Sequence, residues 1–276
     1  MGFCKGRSTL TNLIVYCDFI STCLKSNKQI DSFYLDFSKA FDLVNHNRLL
    51  DKIWNYGVRG SLFSWIHSYL TNRSYAVRVR GGCSDFFVAP SGVPQGSCIG
   101  PILFSLFIND LSSLIKFSQV LFYADNTKIF RAINSPLDCT NLQRDIEAFD
   151  NCSQPNGLPI NIQKCTVMAF RQSEWRIRLH YQLAGSDLQS VSSTKDLGVI
   201  FNSDFQFEYQ VNAVYSRTVR TLGFIKRTTF DFRHVSFILY LYKTLAFTIL
   251  YLYLLIVAQF GLLINRYILT SWRGTT

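Results

Sequence analysis

Phe122–Phe130, FYADNTKIF, decides how this chain is read. An apolar, aromatic run stops at Asp125-Asn126 and resumes through Ile129 and Phe130. Two short strands with a polar two-residue tip read this way, because Asp and Asn tolerate the positive φ of a tight hairpin turn. The expectation is a hairpin whose tip is Asp125-Asn126. A carboxylate on a rigid tip is well placed to hold a metal ion. A second carboxylate beside it would strengthen such a site, but position 126 carries an amide.

Upstream of the hairpin, PILFSLFINDLSSLI predicts a helix opened by Pro101, apolar nearly all round and therefore buried. The loop SGVPQGSCIGP before it is dense in Gly and Pro. SYAVRVRGG predicts an exposed strand ending in a Gly-Gly turn, with DFFVAP returning as its partner. Further upstream, Thr9–Leu24 has helical spacing, Ser32–Phe37 alternates like a strand, and segments around 46–56 and 61–70 read as helices. Gly57 stands where a helix C-cap would. Downstream, 137–152 predicts an amphipathic helix with Leu142, Ile146 and Phe149 on one face. CTVMAF predicts a strand, as do 177–183 and 197–201, and 207–227 a helix with Arg217, Arg220, Lys226 and Arg227 on its polar face. The order implies an α+β fold, with helices packed on one antiparallel sheet.

Asp36 ends one strand and Asp125 sits at the hairpin tip. If the two strands pair side by side, the carboxylates converge. Two hard oxygen ligands at a sheet edge suit Mg²⁺, which keeps several waters and accepts substrate phosphates for the rest. Taken singly, each acid reads as a turn cap before it reads as a ligand.

The bulk numbers fit a polyanion partner without choosing one. The 276 residues carry a formal charge of +10, which suits nucleic acid or an anionic membrane surface. The eight cysteines form no C-x-x-C pair, and with four scattered histidines they show no zinc-ligand spacing. They read as reduced, small apolar residues of an intracellular protein, in nucleus or cytoplasm. The N-terminus lacks the apolar stretch of a signal peptide, and no Walker A, G-x-G-x-x-G, H-E-x-x-H or G-x-S-x-G motif occurs.

In ordered blocks, the sequence resembles the reverse transcriptase of non-LTR, jockey-like retrotransposons. FYLDFSKAFDLVNHNRLLDKI is similar to polymerase motif A and GVPQGSCIGPILFSLFINDL to motif B. FYADNTKIF is similar to motif C, NIQKCTVMAF to motif D and DLGVIFNSDFQF to motif E, while GFCKGRSTLTNL resembles the segment before the palm. The resemblance runs from Gly2 to Arg233. It implies a right-hand polymerase palm over residues 1–205, a partial thumb helix over 206–233 and an apolar tail over 234–276, with the fingers largely missing. It implies metal ligation by Asp36, the Phe37 carbonyl, Asp125 and Asn126, with two Mg²⁺ ions, or Mn²⁺ in their place. Phe41 matches the ring that excludes a ribose 2′-hydroxyl, and Gln95-Gly96 the turn along template and incoming nucleotide. Lys164 matches the lysine that protonates or neutralises the leaving pyrophosphate, and Lys5 and Arg7 the triphosphate-binding region. Arg73, Arg78, Arg80, Arg217 and Arg220 supply a nucleic-acid-binding face. The implied partners are an RNA template, a DNA primer and deoxynucleoside triphosphates.

Three departures bear on activity. The family pattern at the tip is Asp-Asp, and here it is Asp125-Asn126. Cys4 stands where the family usually has Arg. The chain begins almost at the palm and drifts from the family after about Arg233. Together these predict a truncated, decayed copy of low activity. The rival readings are a non-catalytic nucleic-acid-binding remnant and a small protein anchored in a membrane by its tail. For the latter, Thr244–Ile264 carries no charge and meets the length criterion for a membrane span, whereas a thumb helix would be amphipathic and more basic.

Overall fold

The computed structural model describes residues 6, 8–71, 73–171, 177, 180–230 and 234–247. Lys5 and Arg7 lie outside them, as does most of the apolar tail. Seven α-helices are described: α1 (Thr9–Lys25), α2 (His46–Asn55), α3 (Gly60–Leu70), α4 (Gly100–Ile108), α5 (Pro136–Ser153), α6 (Glu208–Thr228) and α7 (Val235–Leu241). The longer strands are β1 (Gln29–Leu35), β6 (Gln119–Tyr123), β7 (Asn126–Ile133), β8 (Thr166–Phe170), β12 (Ser193–Asp196) and β13 (Val199–Asn202). Two-residue strands complete the set: β2 (Ser74–Tyr75), β3 (Arg78–Val79), β4 (Gly82–Cys83), β5 (Phe87–Val88), β9 (Gln182–Leu183), β10 (Ser186–Asp187) and β11 (Gln189–Ser190).

One five-stranded sheet runs in the order β11-β8-β1-β7-β6. β1 is central, and its residues Gln29–Phe33 are all buried, so the expected two-faced alternation gives way to burial of both faces. The expected all-antiparallel sheet needs one correction: β11 pairs with β8 in parallel, Gln189 opposite Thr166. A two-residue strand reached through the connection after β9–β10 can approach from either direction, which local pattern does not reveal. The α+β class itself holds.

The chain divides into two compact units. The first comprises Met1–Thr9, Asp31–Val167 and Ile177–Ser190, and the second Leu10–Ile30, Met168–Arg176 and Val191–Thr276. In the first unit, Phe33 and Leu35 of β1 share a core with Phe104 and Phe107 of α4 and Leu142, Ile146 and Phe149 of α5. The stripe expected on α5 is therefore buried as predicted. α4 is not buried all round: Ile102 is half exposed, and the helix tightens into a 3₁₀ segment at Asn109–Leu114. In the second unit, Tyr16 packs edge-on against Phe170 and Phe201, and Phe205 and Phe207 extend the aromatic cluster.

Helix ends follow local chemistry. Asn45 caps α2, its side chain accepting the Arg48 N–H at 3.1 Å, and Gly57 past the C-cap takes φ 89°. Asp138 closes the start of α5: its carboxylate accepts the Asn134 and Ser135 N–H groups at 3.0 Å and an Arg131 guanidinium at 2.7 Å. Burial pulls the Asp138 pKa up, but the bonds from Arg131, Asn134 and Ser135 outweigh it and hold the carboxyl below its ordinary value.

Two hairpin turns sit one residue earlier than expected. The first tip is Arg80-Gly81, both at positive φ (47° and 88°), while Gly82 joins β4 opposite Val79. The second is Ala124-Asp125: Tyr123 pairs with Asn126, and the positive φ of 53° falls on Ala124. Composition named the right turn residues, but ladder register selected which of them bend.

Most of the expected apolar tail lies outside the described residues. Residues 242–247 form a π-helical turn. Residues 248–264 lie outside the described residues, among which no helix is long and apolar enough to cross a membrane.

Two polar contacts inside the first unit are expected to contribute to stability. The Tyr181 hydroxyl donates to the buried Asp31 carboxylate of β1 at 2.6 Å. Burial, then the Asp31 charge, push the Tyr181 pKa far up, so the hydroxyl stays a donor. Tyr181→Phe is expected to lower unfolding stability by about 1.5–3 kcal/mol in urea titration. Because the Asp138 pKa is depressed, its contribution is present above the unfolded carboxylate pKa, about 4, and is lost as pH falls through the folded value. Asp138→Asn should cost roughly 1 kcal/mol at pH 7 and flatten the acid limb of stability against pH.

Candidate active site

β1 and β7 are hydrogen-bonded neighbours. Asp36 is the first residue after β1, and Asp125 the last before β7. The side-by-side pairing expected of the two acid-bearing strands is therefore present. One aromatic ring fastens both ends: Phe149 of α5 stacks on Phe37 at 5.8 Å between centroids and on Phe122 of β6 at 6.3 Å. The approach to the hairpin is pinned as well, since the buried Asp145 carboxylate of α5 accepts the N–H groups of Lys116 and Phe117, each at 3.0 Å.

Residues 159–161 brace the end of β1. The Asp36 carbonyl accepts the Asn161 N–H at 2.8 Å, and the Ser38 N–H donates to the Pro159 carbonyl at 2.8 Å. Phe37 is bridged with Ile160, and neither of those two bonds uses the Phe37 carbonyl. Asn161 in turn starts the 3₁₀ turn Ile162–Lys164, its carbonyl accepting the Lys164 N–H at 3.0 Å. The Lys164 ammonium reaches the Asp36 carboxylate at 3.0 Å. Its side chain is 66% exposed against 23% for Asp36. Lys164, though mostly exposed, is therefore ion-paired with the acid of motif A. Cys165 beside it is buried, and burial pushes its thiol up to about 11, which keeps it neutral and unreactive.

Beside the tip, Asn126 points its amide Nδ2 at the Asp125 carboxylate, 3.4 Å away. To serve as the metal ligand expected of it, the amide would have to turn its oxygen inward. Among the described residues, no three His, Cys, Asp or Glu side chains gather into a group able to hold an ion. The donor chemistry nevertheless fits one hard cation. Asp36 and Asp125 would supply the one or two carboxylates Mg²⁺ requires, leaving water and phosphate for its other positions.

Motif A and motif B are clasped together. The Gly92 N–H donates to the Val44 carbonyl and the Val93 N–H to the Phe41 carbonyl, both at 2.8 Å. The Gln95 amide reaches the Asp42 carboxylate at 3.0 Å, and Ser91 the Asp42 carbonyl at 2.8 Å. His46 joins the Gly92 carbonyl at 2.7 Å. The Phe41 ring stacks on Phe104 at 4.5 Å and stays half-buried, with part of it open to solvent. Gly96 takes φ 78° with open space where a side chain would be.

Sequence reasoning missed Gly92 and Asp42. Gly92 has φ 89°, and a Cβ there would lie 2.8 Å from the Asp42 carbonyl oxygen. The Ser-Gly dipeptide was the available signal, but its partner lies some fifty residues away.

The arginines fall into two groups. Arg78 and Arg80 are exposed on the hairpin built from β2–β5, where Tyr75, Phe86, Phe87 and Val88 are exposed too. Arg73, expected on the nucleic-acid-binding face, is half-buried, with its guanidinium over the Tyr69 and Tyr75 rings. Arg217 and Arg220 of α6 belong to the second unit. There they line a concave site of about 120 Å³ with Lys195, Gly198 and Gln210. Lys195 and Gly198 come to it from the K-D-L-G run entering β13.

The chain matches the reverse transcriptase (RNA-dependent DNA polymerase) family over residues 1–225. It belongs to that family. The RNA-directed DNA polymerase from mobile element jockey of Drosophila funebris is 28% identical over 221 residues, 77% of this chain and 24% of that protein. Its counterpart in Drosophila melanogaster is 29% identical over 61% of this chain and 19% of that protein. The chain thus spans about a quarter or less of these relatives' length. Among solved structures, telomerase from Candida tropicalis, in complex with a fragment of telomeric RNA, superposes with a TM-score of 0.52. That likeness covers 72% of this chain and 33% of telomerase at 16% identity, and shows a shared polymerase fold.

The clasp predicts a sharp sensitivity. Gly92→Ala combines a left-handed φ with a backbone clash and should cost about 3 kcal/mol or more, read as a fall in the denaturation midpoint.

Proposed function

We propose that this chain is the palm, with part of the thumb, of a retrotransposon RNA-directed DNA polymerase. On this reading residues 1–205 form the palm and 206–233 the start of the thumb. One observation carries the reading: within a reverse-transcriptase chain, the two motif acids follow β1 and precede β7, on neighbouring strands. Asp36 and Asp125 would hold divalent cations, with the Phe37 carbonyl and a turned Asn126 amide beside them. Bound Mg²⁺, or Mn²⁺ in its place, would supply charge stabilisation to the attacking and leaving oxygens of a phosphoryl transfer.

The chain's own residues do the rest. Gln95 and Gly96 lie along the template and incoming nucleotide, and Lys5 and Arg7 serve the triphosphate. The Phe41 ring rejects a ribose 2′-hydroxyl by clash. The primer 3′-hydroxyl gives up its proton to water as its oxygen bonds to the α-phosphorus, the bond from that phosphorus to pyrophosphate breaks, and Lys164 gives a proton or its charge to the leaving group. Arg78, Arg80, Lys195, Arg217 and Arg220 meet phosphates of an RNA template and DNA primer, with Arg73 steadying its hairpin. This work belongs inside the cell, in nucleus or cytoplasm.

Asn126 brings no negative charge, and the loss of one electrostatic stabiliser costs on the order of 10²–10³ in rate. That same residue favours a second reading, a nucleic-acid-binding chain without synthesis. Primer extension on an RNA template, with Mg²⁺ and with Mn²⁺, separates them. The parent chain should be slow, Asn126→Asp faster by that factor, and Asp125→Ala inactive. Salt-dependent binding of template by all three folded proteins, without synthesis by any, would select the second reading.

A further inference from the structure

The Lys164 ammonium and the Asp36 carboxylate are built to meet and built to part. The Asn161 N–H holds the Asp36 carbonyl, and the Asn161 carbonyl holds the turn that ends in Lys164. The backbone of the lysine is thus fixed relative to the backbone of the acid. The side chains are not equally fixed. Asp36 is half-buried beside Phe37, whereas Lys164 is mostly in solvent on a flexible four-carbon stem. Asp125 lies beside the neighbouring strand, and among the described residues Lys164 is the cation paired with Asp36.

We propose that Lys164 is an exchangeable counterion: its ammonium occupies the cation position on Asp36 while the site is empty, and a divalent ion must evict it. An ammonium is a compact, strongly hydrated point charge and mimics a hard cation at one carboxylate. The two charges oppose each other on one carboxylate, since Mg²⁺ bound at about 2.0–2.1 Å would lie close to the ammonium and repel it, so entry of one favours departure of the other. Eviction frees Lys164 for the triphosphate, so one exchange loads the acid and releases the lysine. The inference rests on the reading of Asp36 as a metal ligand. It adds that Lys164 opposes metal entry, whereas a lysine serving only the leaving group would not.

The test is Mn²⁺ binding by the full chain without nucleic acid or nucleotide, read from the electron-spin-resonance signal of free Mn²⁺. Lys164→Ala and Lys164→Gln should bind Mn²⁺ roughly two- to fivefold more tightly than the parent, the range expected for removal of an exposed competing ion pair. Lys164→Arg keeps the charge and should stay at or below parental affinity. Lys28→Ala, an exposed lysine outside the site, should not change it. Asp36→Asn should lose the binding. Circular dichroism confirms the fold of each variant. Equal affinity of parent, Lys164→Ala and Lys164→Gln, with Asp36→Asn still defective, overturns the exchange and leaves the metal site standing. Binding that Asp36→Asn does not alter, or no binding by any form, overturns both.

Discussion

The contact on which the site depends is the stacking of the Phe149 ring on Phe37 and Phe122. Neither Asp36 nor Asp125 is held by a regular element, because each stands one residue outside its strand. Their positions are inherited from the ends of β1 and of the β6–β7 hairpin. Phe149, fully buried on α5, touches a residue beside each of those ends. Close-packed interiors tolerate little displacement, so a ring wedged this way transmits the rigidity of the core to two acids at its margin. Asp145, one turn earlier on α5, adds a polar anchor to the same hairpin. One helix thus sets the geometry of a site to which it contributes no ligand.

Much of this was legible from local pattern. The Pro136–Ser153 helix had the right period and the right buried face, and the caps at Asn45 and Gly57 obey nearest-neighbour chemistry. The acids at strand ends were legible because hydrophobic runs stop at them. Contacts that join distant segments were not legible. Nothing near Gly92 announces Asp42, and nothing near Asp36 announces the ammonium of Lys164, since neither pairing leaves a periodicity in the chain. The two turns show a subtler limit. Gly and Asn mark where a chain can bend cheaply, yet the ladder placed the bends on Arg80-Gly81 and Ala124-Asp125 because that register pairs the flanking strands. Ala124 accepts a left-handed backbone costing about 1–2 kcal/mol to allow it.

The slipped turn changes how Asn126 is understood. As the first residue of β7 it belongs to the ladder, paired with Tyr123. Its backbone is therefore set by strand geometry that Asp can also adopt. The difference between amide and carboxylate at this position is one of charge and donor sense, with no demand on the fold. Around it, the described part of the site holds two carboxylates and one ammonium. On the proposed reading, such a balance would attract a divalent cation less strongly than a three-acid site, and Lys164 would account for part of that deficit.

The hairpin built from β2–β5 has a further consequence. Its strands are two residues long, exposed throughout, and studded with Tyr75, Val79, Phe86, Phe87 and Val88. Short strands blunt an edge, and the arginines at 78 and 80 add charge that discourages stacking of like copies. At low ionic strength that repulsion acts over tens of ångströms; in concentrated salt it fades while the apolar surface becomes stickier. The colloidal behaviour of the chain should therefore run opposite to the habit of purifying nucleic-acid enzymes in high salt. The conditions that strip away bound polyanions are those under which this hairpin would draw the molecules into clumps.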